Sequence, residues 1–240
     1  MNVIMLIALM GGLRQVIHAE RPVSLIDVNR DRFLPTIMLT NANRLLNKLD
    51  ELFCLITDNS YDVICITETW LSPEIPDSVY QMPNFVSFRR DRPARQGGGV
   101  LCYARSCLNP RVLEPLDNDE FELTWVAMRP SRLPRPVGVV IIAVLYCPPW
   151  YDAQTRNRFR EHLVACIDVL TRKYNHAGFL ITGDFNSLET DFCSRRLNFR
   201  QMVKVSTRGD RTLIQCLQIC TNFMTMQQQF HLLEGRITIV

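Results

Sequence analysis

Apolar residues along this 240-residue chain fall into runs whose spacing assigns most of its elements. The segments 36–40 (TIMLT) and 62–67 (DVICIT) are short, β-branched and uninterrupted, the pattern of strands buried on both faces. Between them, Leu45, Leu46, Leu49, Leu52, Phe53 and Ile56 recur at helical spacing and predict a helix within 43–59. After a loop with Pro73, Pro76 and Pro83, strand signals dominate: 85–90, 100–105, 123–128 and 137–146, each bounded by Gly, Pro or Asp/Asn clusters. Pro148-Pro149 ends the last of these. The clearest helix is 152–174, with Phe159, Leu163, Cys166, Ile167 and Leu170 on one face. A further buried strand, 179–182 (FLIT), stops at Gly183.

These elements predict an α+β chain with two stacked sheets, or one large mixed sheet, and helices outside. Residues 1–33 read as a leader, 34–213 as the folded domain, and 214–240 as a divergent tail. The tail carries Gln215, Gln218 and Gln227–Gln229 and reads as a helix or a loose end.

Composition narrows the class. Hydrophobic residues are 47% and charged residues 21%, the balance of a globular chain, with no stretch long enough to span a membrane. The apolar run 3–10 lacks a preceding Lys or Arg, and Ile17 stands where a signal-peptidase site needs a small residue. Secretion is therefore not expected. Several of the nine cysteines, Cys54, Cys65, Cys102 and Cys147, fall in or beside apolar runs. That placement is expected of buried thiols in a reducing intracellular setting, nuclear or cytoplasmic.

The net charge of +3 is unevenly placed. Residues 1–120 hold 12 basic and 15 acidic groups, and residues 121–240 hold 15 and 9. Of the 27 basic residues 24 are Arg, whose fork binds phosphate in bidentate fashion, although codon bias gives the same excess.

Polar residues gather where predicted strands end. Asn41 and Asn43 follow TIMLT, Glu68 follows DVICIT, and Asp184 and Asn186 follow FLIT. Strand ends present side chains from a fixed backbone. Oxygen donors converging there suit a hard cation such as magnesium, although Asn and Asp are also ordinary turn residues.

Six strings in order carry a family resemblance: MLTNANRLLNKLDEL (38–52), DVICITETWL (62–71), FRRDRPARQGGGVLCY (88–103), VLYCPP (144–149), FLITGDFN (179–186) and TRGDRTL (207–213). Together they resemble the endonuclease/exonuclease/phosphatase family, specifically the apurinic-endonuclease-like domain of non-LTR retrotransposons. The resemblance implies a four-layer α/β sandwich of the DNase I-like kind, with two packed mixed sheets flanked by helices. It implies metal-dependent phosphodiester hydrolysis that nicks DNA, with Mg²⁺ or Mn²⁺ weakly held. By the same resemblance Glu68 is the metal ligand, and Asn41 and Asn43 help form that centre. Tyr146 stands at the scissile phosphate, Asp184 orients or protonates at the reacting phosphate, and Asn186 holds a phosphate oxygen. A strand-end aromatic is the plainer reading of Tyr146. Arg89, Arg90, Arg92 and Arg95, around the loop before Gly97-Gly98-Gly99, are candidate DNA contacts or a solvated basic loop. DNA is the expected partner, with no membrane and no obligate protein partner.

The chain also departs from the family pattern. In the family, the TRG-x-x-TL string runs into an aspartate and later into Ser-Asp-His. Here Leu213 is followed by Ile214, and no Asp-His dipeptide occurs; the histidines are His18, His162, His176 and His231. The last strands are therefore expected to be incomplete and the hydrolytic activity very weak or absent. A non-catalytic nucleic-acid-binding remnant and a phosphatase of the same superfamily are the alternatives.

Overall fold

The computed structural model describes residues 35–92, 96–116, 120–131, 133, 135–197 and 199–201, together with the strand segments 6–7, 16–17, 214–220 and 237–239. Strands β1 (Leu6–Ile7) and β2 (Val16–Ile17) pair as a small antiparallel ribbon.

One sheet contains β3 (Ile37–Asn41), β4 (Val63–Thr67), β5 (Phe85–Arg90) and β6 (Val100–Arg105). The other contains β7 (Arg111–Leu113), β8 (Glu122–Met128), β9 (Val139–Tyr146), β10 (Ala177–Asp184), β11 (Arg200–Gln201) and β12 (Ile214–Cys220). A last strand, β13 (Ile237–Ile239), lies parallel to β3. The two orders are β13-β3-β4-β6-β5 and β11-β12-β10-β9-β8-β7. Both sheets are mixed: β3 and β4 run parallel, as do β9 and β10, while the remaining neighbours other than β13 and β3 are antiparallel.

Three apolar clusters define four layers. Between the sheets, Leu39, Val63, Cys65 and Cys102 meet Val126, Ile142, Val144 and Leu180. The alternate residues of the second sheet, among them Trp125, Ile141, Ala143 and Ile181, face outward. They pack on Phe159, Leu163, Cys166, Ile167 and Leu170 of helix α2 (Ala153–Lys173). Those five are the face that the spacing predicted. On the other side Met38, Ile64, Ile66 and Leu101 pack on Leu45, Leu52 and Ile56 of a short 3-10 turn and helix α1 (Leu49–Asp58). Because each sheet is covered on both faces, its central strands are apolar at most positions on both faces, which explains their long apolar sequence runs. Asp152 caps α2 by accepting the Thr155 amide at 2.7 Å. A third helix, α3 (Asp191–Leu197), follows β10.

The tail differs from its sequence reading. Residues 214–220 form neither a helix nor a loose end but a seven-residue strand antiparallel to Gly178–Asp184 of β10. The isolated apolar positions of IQCLQIC gave no strong strand signal. The exposed edge of β10 supplied the backbone partners that made it one. Cys54 is the other correction: it is exposed on α1, whereas Cys65, Cys102 and Cys147 are buried as expected. Among the described residues, no helix is long and apolar enough to cross a membrane.

Candidate active site

The strand ends named by the sequence meet at one edge of the sandwich. Asn41 closes β3, Glu68 follows β4, and Asp184 closes β10 of the opposite sheet. The Asn41 carboxamide joins all three. Its Nδ2 donates to Glu68 Oε1 at 2.9 Å and to Asp184 Oδ2 at 3.2 Å. Its Oδ1 accepts the backbone N–H of Asn43 at 3.0 Å, which fixes the amide the right way round. Two carboxylates distant in sequence are thereby held facing one another by a neutral donor.

Asp184 is buried, and its Oδ1 accepts the Asn186 N–H at 3.1 Å. Asn186 Nδ2 in turn donates to the Cys147 carbonyl at 2.9 Å, tying the loop after β10 to the end of β9. Tyr146, the last residue of β9, stands in register with Asp184 on one side and Glu122 on the other. Burial, reinforced by the nearby Glu68 and Asp184 carboxylates, pushes the pKa of its hydroxyl far above the usual phenol range. The hydroxyl therefore stays neutral.

The backbone here is strained. Asn43, Arg44, Glu68, Trp70 and Asn186 all have positive φ, from 42° to 79°, and make up five of the seven such non-glycine residues among those described. Each costs energy that the surrounding packing must hold, a pattern that gathers at functional sites. Gly183 is required sterically: a β-carbon there would stand 1.9 Å from the Leu145 carbonyl oxygen, so only glycine lets β10 deliver Asp184 beside Tyr146.

The sequence did not single out Glu122. It lies at the start of β8, 3% exposed, and accepts from the Gly99 N–H and from Arg92 Nε at 2.7 Å. Burial raises its carboxyl above the ordinary range, with these two hydrogen bonds and the Arg92 charge opposing. A carboxylate inside an apolar strand needs a partner, and that was the available signal in the string FELTW. The glycine turn it anchors has positive φ at Gly97, Gly98 and Gly99. A β-carbon on Gly98 would overlap both Arg92 and Glu122.

Other assignments fare unevenly. Asn43 is exposed, and it contributes its backbone N–H to Asn41. Arg89 pairs with Asp91 at 3.4 Å, donates to the Ile75 carbonyl at 3.0 Å and lies over Tyr80. Arg92 is committed to Glu122, and its guanidinium lies 4.6 Å from the Trp150 ring centroid and 5.7 Å from that of Tyr146. Neither is a free phosphate-binding fork. Arg90 is half-buried, and Arg95 lies outside the described residues, as does the string 207–213. Of the two described histidines, His162 sits on α2 with its Nε2 3.4 Å from Cys166 Sγ, and His176 is exposed in the loop before β10.

Among the described residues, no group of three or more His, Cys, Asp and Glu side chains is placed to hold a metal. The donor set at the site is nonetheless all oxygen around Glu68 and Asp184, which fits a hard cation that keeps most of its waters.

Two packed mixed sheets with helices outside and a polar constellation at the strand ends define a DNase I-like α/β sandwich. Residues 28–201 match the model of the Endonuclease/Exonuclease/phosphatase family, and the chain belongs to that family. Solved structures agree on the fold. An AP endonuclease from Leishmania major superposes with a TM-score of 0.58 at 14% identity, covering 77% of this chain and 78% of that one. A 3′ phosphatase from Neisseria bound to product DNA hairpin gives 0.55 at 16% identity, covering 77% and 86%. The catalytic domain of APE2 from Xenopus laevis gives 0.54 at 16%, covering 76% and 82%. No curated protein sequence matches the chain.

Proposed function

We propose that this chain is a DNA-directed phosphodiesterase domain, derived from the endonuclease of a non-LTR retrotransposon, that binds the DNA backbone at this site and hydrolyses it slowly. The observation that carries the reading is the Asn41 carboxamide bridging Glu68 and Asp184 from opposite sheets. Glu68 is the residue that would hold a magnesium ion, with Asn41 orienting its carboxylate. Such an ion supplies charge stabilisation at a phosphoryl oxygen. Tyr146 donates from its neutral hydroxyl, Asp184 stands where a proton moves to or from the reacting oxygen, and Asn186 holds a phosphate oxygen. The family, which takes in endonucleases, exonucleases and phosphatases, supports phosphoester chemistry.

The slow rate follows from two positions. Ile214 stands opposite Asp184 at the site end of β12, at the point where the retrotransposon pattern has an aspartate. No Asp-His pair occurs in these 240 residues to serve as base and orienter. A positioned general base contributes about 10²–10⁴-fold.

A plasmid-nicking assay tests this. With magnesium, the chain is expected to nick supercoiled DNA at a rate depressed by about 10²–10⁴ relative to a complete family member. Glu68→Ala and Asp184→Ala are each expected to abolish what remains, and binding is expected to weaken steeply as salt is added. Fast nicking lost in both variants would overturn the claim of slow turnover. Failure to bind DNA would overturn the assignment.

A further inference from the structure

Trp150 is half-exposed at 51%, and among the described residues it is the single aromatic among the large hydrophobic side chains left in solvent. Its position is held by the chain on both sides. Pro148-Pro149 precede it, the Tyr151 N–H closes the turn on the Pro148 carbonyl at 3.2 Å, and the half-buried Tyr151 ring packs edge-on against buried Phe121. The turn is thus anchored on its far side while the indole stays outside.

One side of that indole is occupied. The Arg92 guanidinium lies 4.6 Å from the ring centroid, held by its ion pair with buried Glu122, and the same guanidinium contacts Tyr146. Tyr146 is the cross-strand register partner of Asp184. A series of neighbours therefore runs from Trp150 to the carboxylates: Trp150, Arg92, Tyr146, Asp184. A cation fixed against one side of an indole leaves the other side for a second π-system.

We propose that Trp150 is a stacking platform for an unpaired nucleobase next to the phosphate bound at Asn41, Glu68, Asp184 and Asn186. The inference rests on the proposed DNA-binding function and deepens it. The substrate class it names is single-stranded DNA, or duplex with a nucleotide out of the stack. Duplex bases are already stacked on both faces and have none to offer the indole. Arg92 is a positioning residue in this arrangement: it stiffens the platform without contacting the base.

The test is fluorescence-anisotropy binding without divalent metal, using a labelled single strand, the same strand with every base removed, and a fully paired duplex. The native chain is expected to bind the base-bearing strand about tenfold more tightly than the base-free strand. Trp150→Ala is expected to lose that preference while keeping its affinity for the base-free strand, and Trp150→Phe is expected to restore most of it. Because the side chain is exposed, all variants should keep the native circular dichroism spectrum. Equal binding of base-bearing and base-free strands by the native chain overturns the inference without any variant. Equal loss on both strands in Trp150→Ala, or tighter binding of duplex than single strand, overturns it as well. In each of these cases DNA still binds and the proposed function stands. Binding of none of the three overturns both.

Discussion

Glu122 is the residue on which the architecture of the site turns. Its carboxylate is nearly inaccessible, and two elements depend on it: the Gly97–Gly99 turn through the Gly99 amide, and Arg92 through its Nε. Arg92 is itself only 10% exposed, so removing Glu122 strands a buried guanidinium. Glu122→Ala is expected to destabilise the chain by about 3–5 kcal/mol in urea denaturation. Glu122→Gln, which keeps an acceptor for the Gly99 amide, should cost less. Equal and small losses in both would show that the pair is solvated and dispensable. Trp150 and Tyr146 depend on the same anchor, so the Ala variant should also blunt DNA binding at concentrations of denaturant where it remains folded.

At the scale of elements, α2 is the main cover of the outer face of the second sheet, and His162 sits on it against Phe121 and Cys166. Burial lowers the His162 pKa below its ordinary 6.5, partly opposed by Glu120. The sign follows from linkage: below about pH 6.5 the unfolded chain takes up a proton that the folded chain refuses, so stability is full above that pH and falls as the solution is acidified. Equilibrium unfolding between pH 7 and about pH 5 should show this loss, and His162→Phe should flatten it while keeping a ring against Phe121. A variant with the same pH slope as the native chain would place the titration elsewhere.

For the whole molecule, the decisive contact is β12 along β10. Seven consecutive positions, from Gly178 to Asp184, find antiparallel partners there. A chain ended after residue 213 would bare the full backbone edge of β10, a strand with a nearly continuous apolar sequence. Such an edge is a template for association. The shortened chain is expected to give a lower soluble yield and to show concentration-dependent light scattering. A fully soluble monomer with unchanged unfolding would mean that β12 contributes little to the sandwich.

What the sequence determined by itself is local. Strand runs, the buried face of α2 and the polar residues at strand ends follow from side-chain period and turn chemistry within a few residues, and most appear within two residues of where spacing put them. The resemblance placed Asn41, Glu68, Tyr146, Asp184 and Asn186 in one functional group; hydrogen bonds join Asn41, Glu68, Asp184 and Asn186, and Tyr146 lies in register with Asp184. Tertiary structure decided what depends on pairing across the chain. Asn41 reaches Asp184 over 143 residues, Glu122 is turned toward Arg92 by its register opposite Tyr146, and Trp150 gains a cation on one side from a different loop. Residues 214–220 became a strand because β10 presented an open edge to them. Their own pattern could not announce this, because backbone hydrogen bonding along an edge reads position and register and is nearly blind to side-chain type.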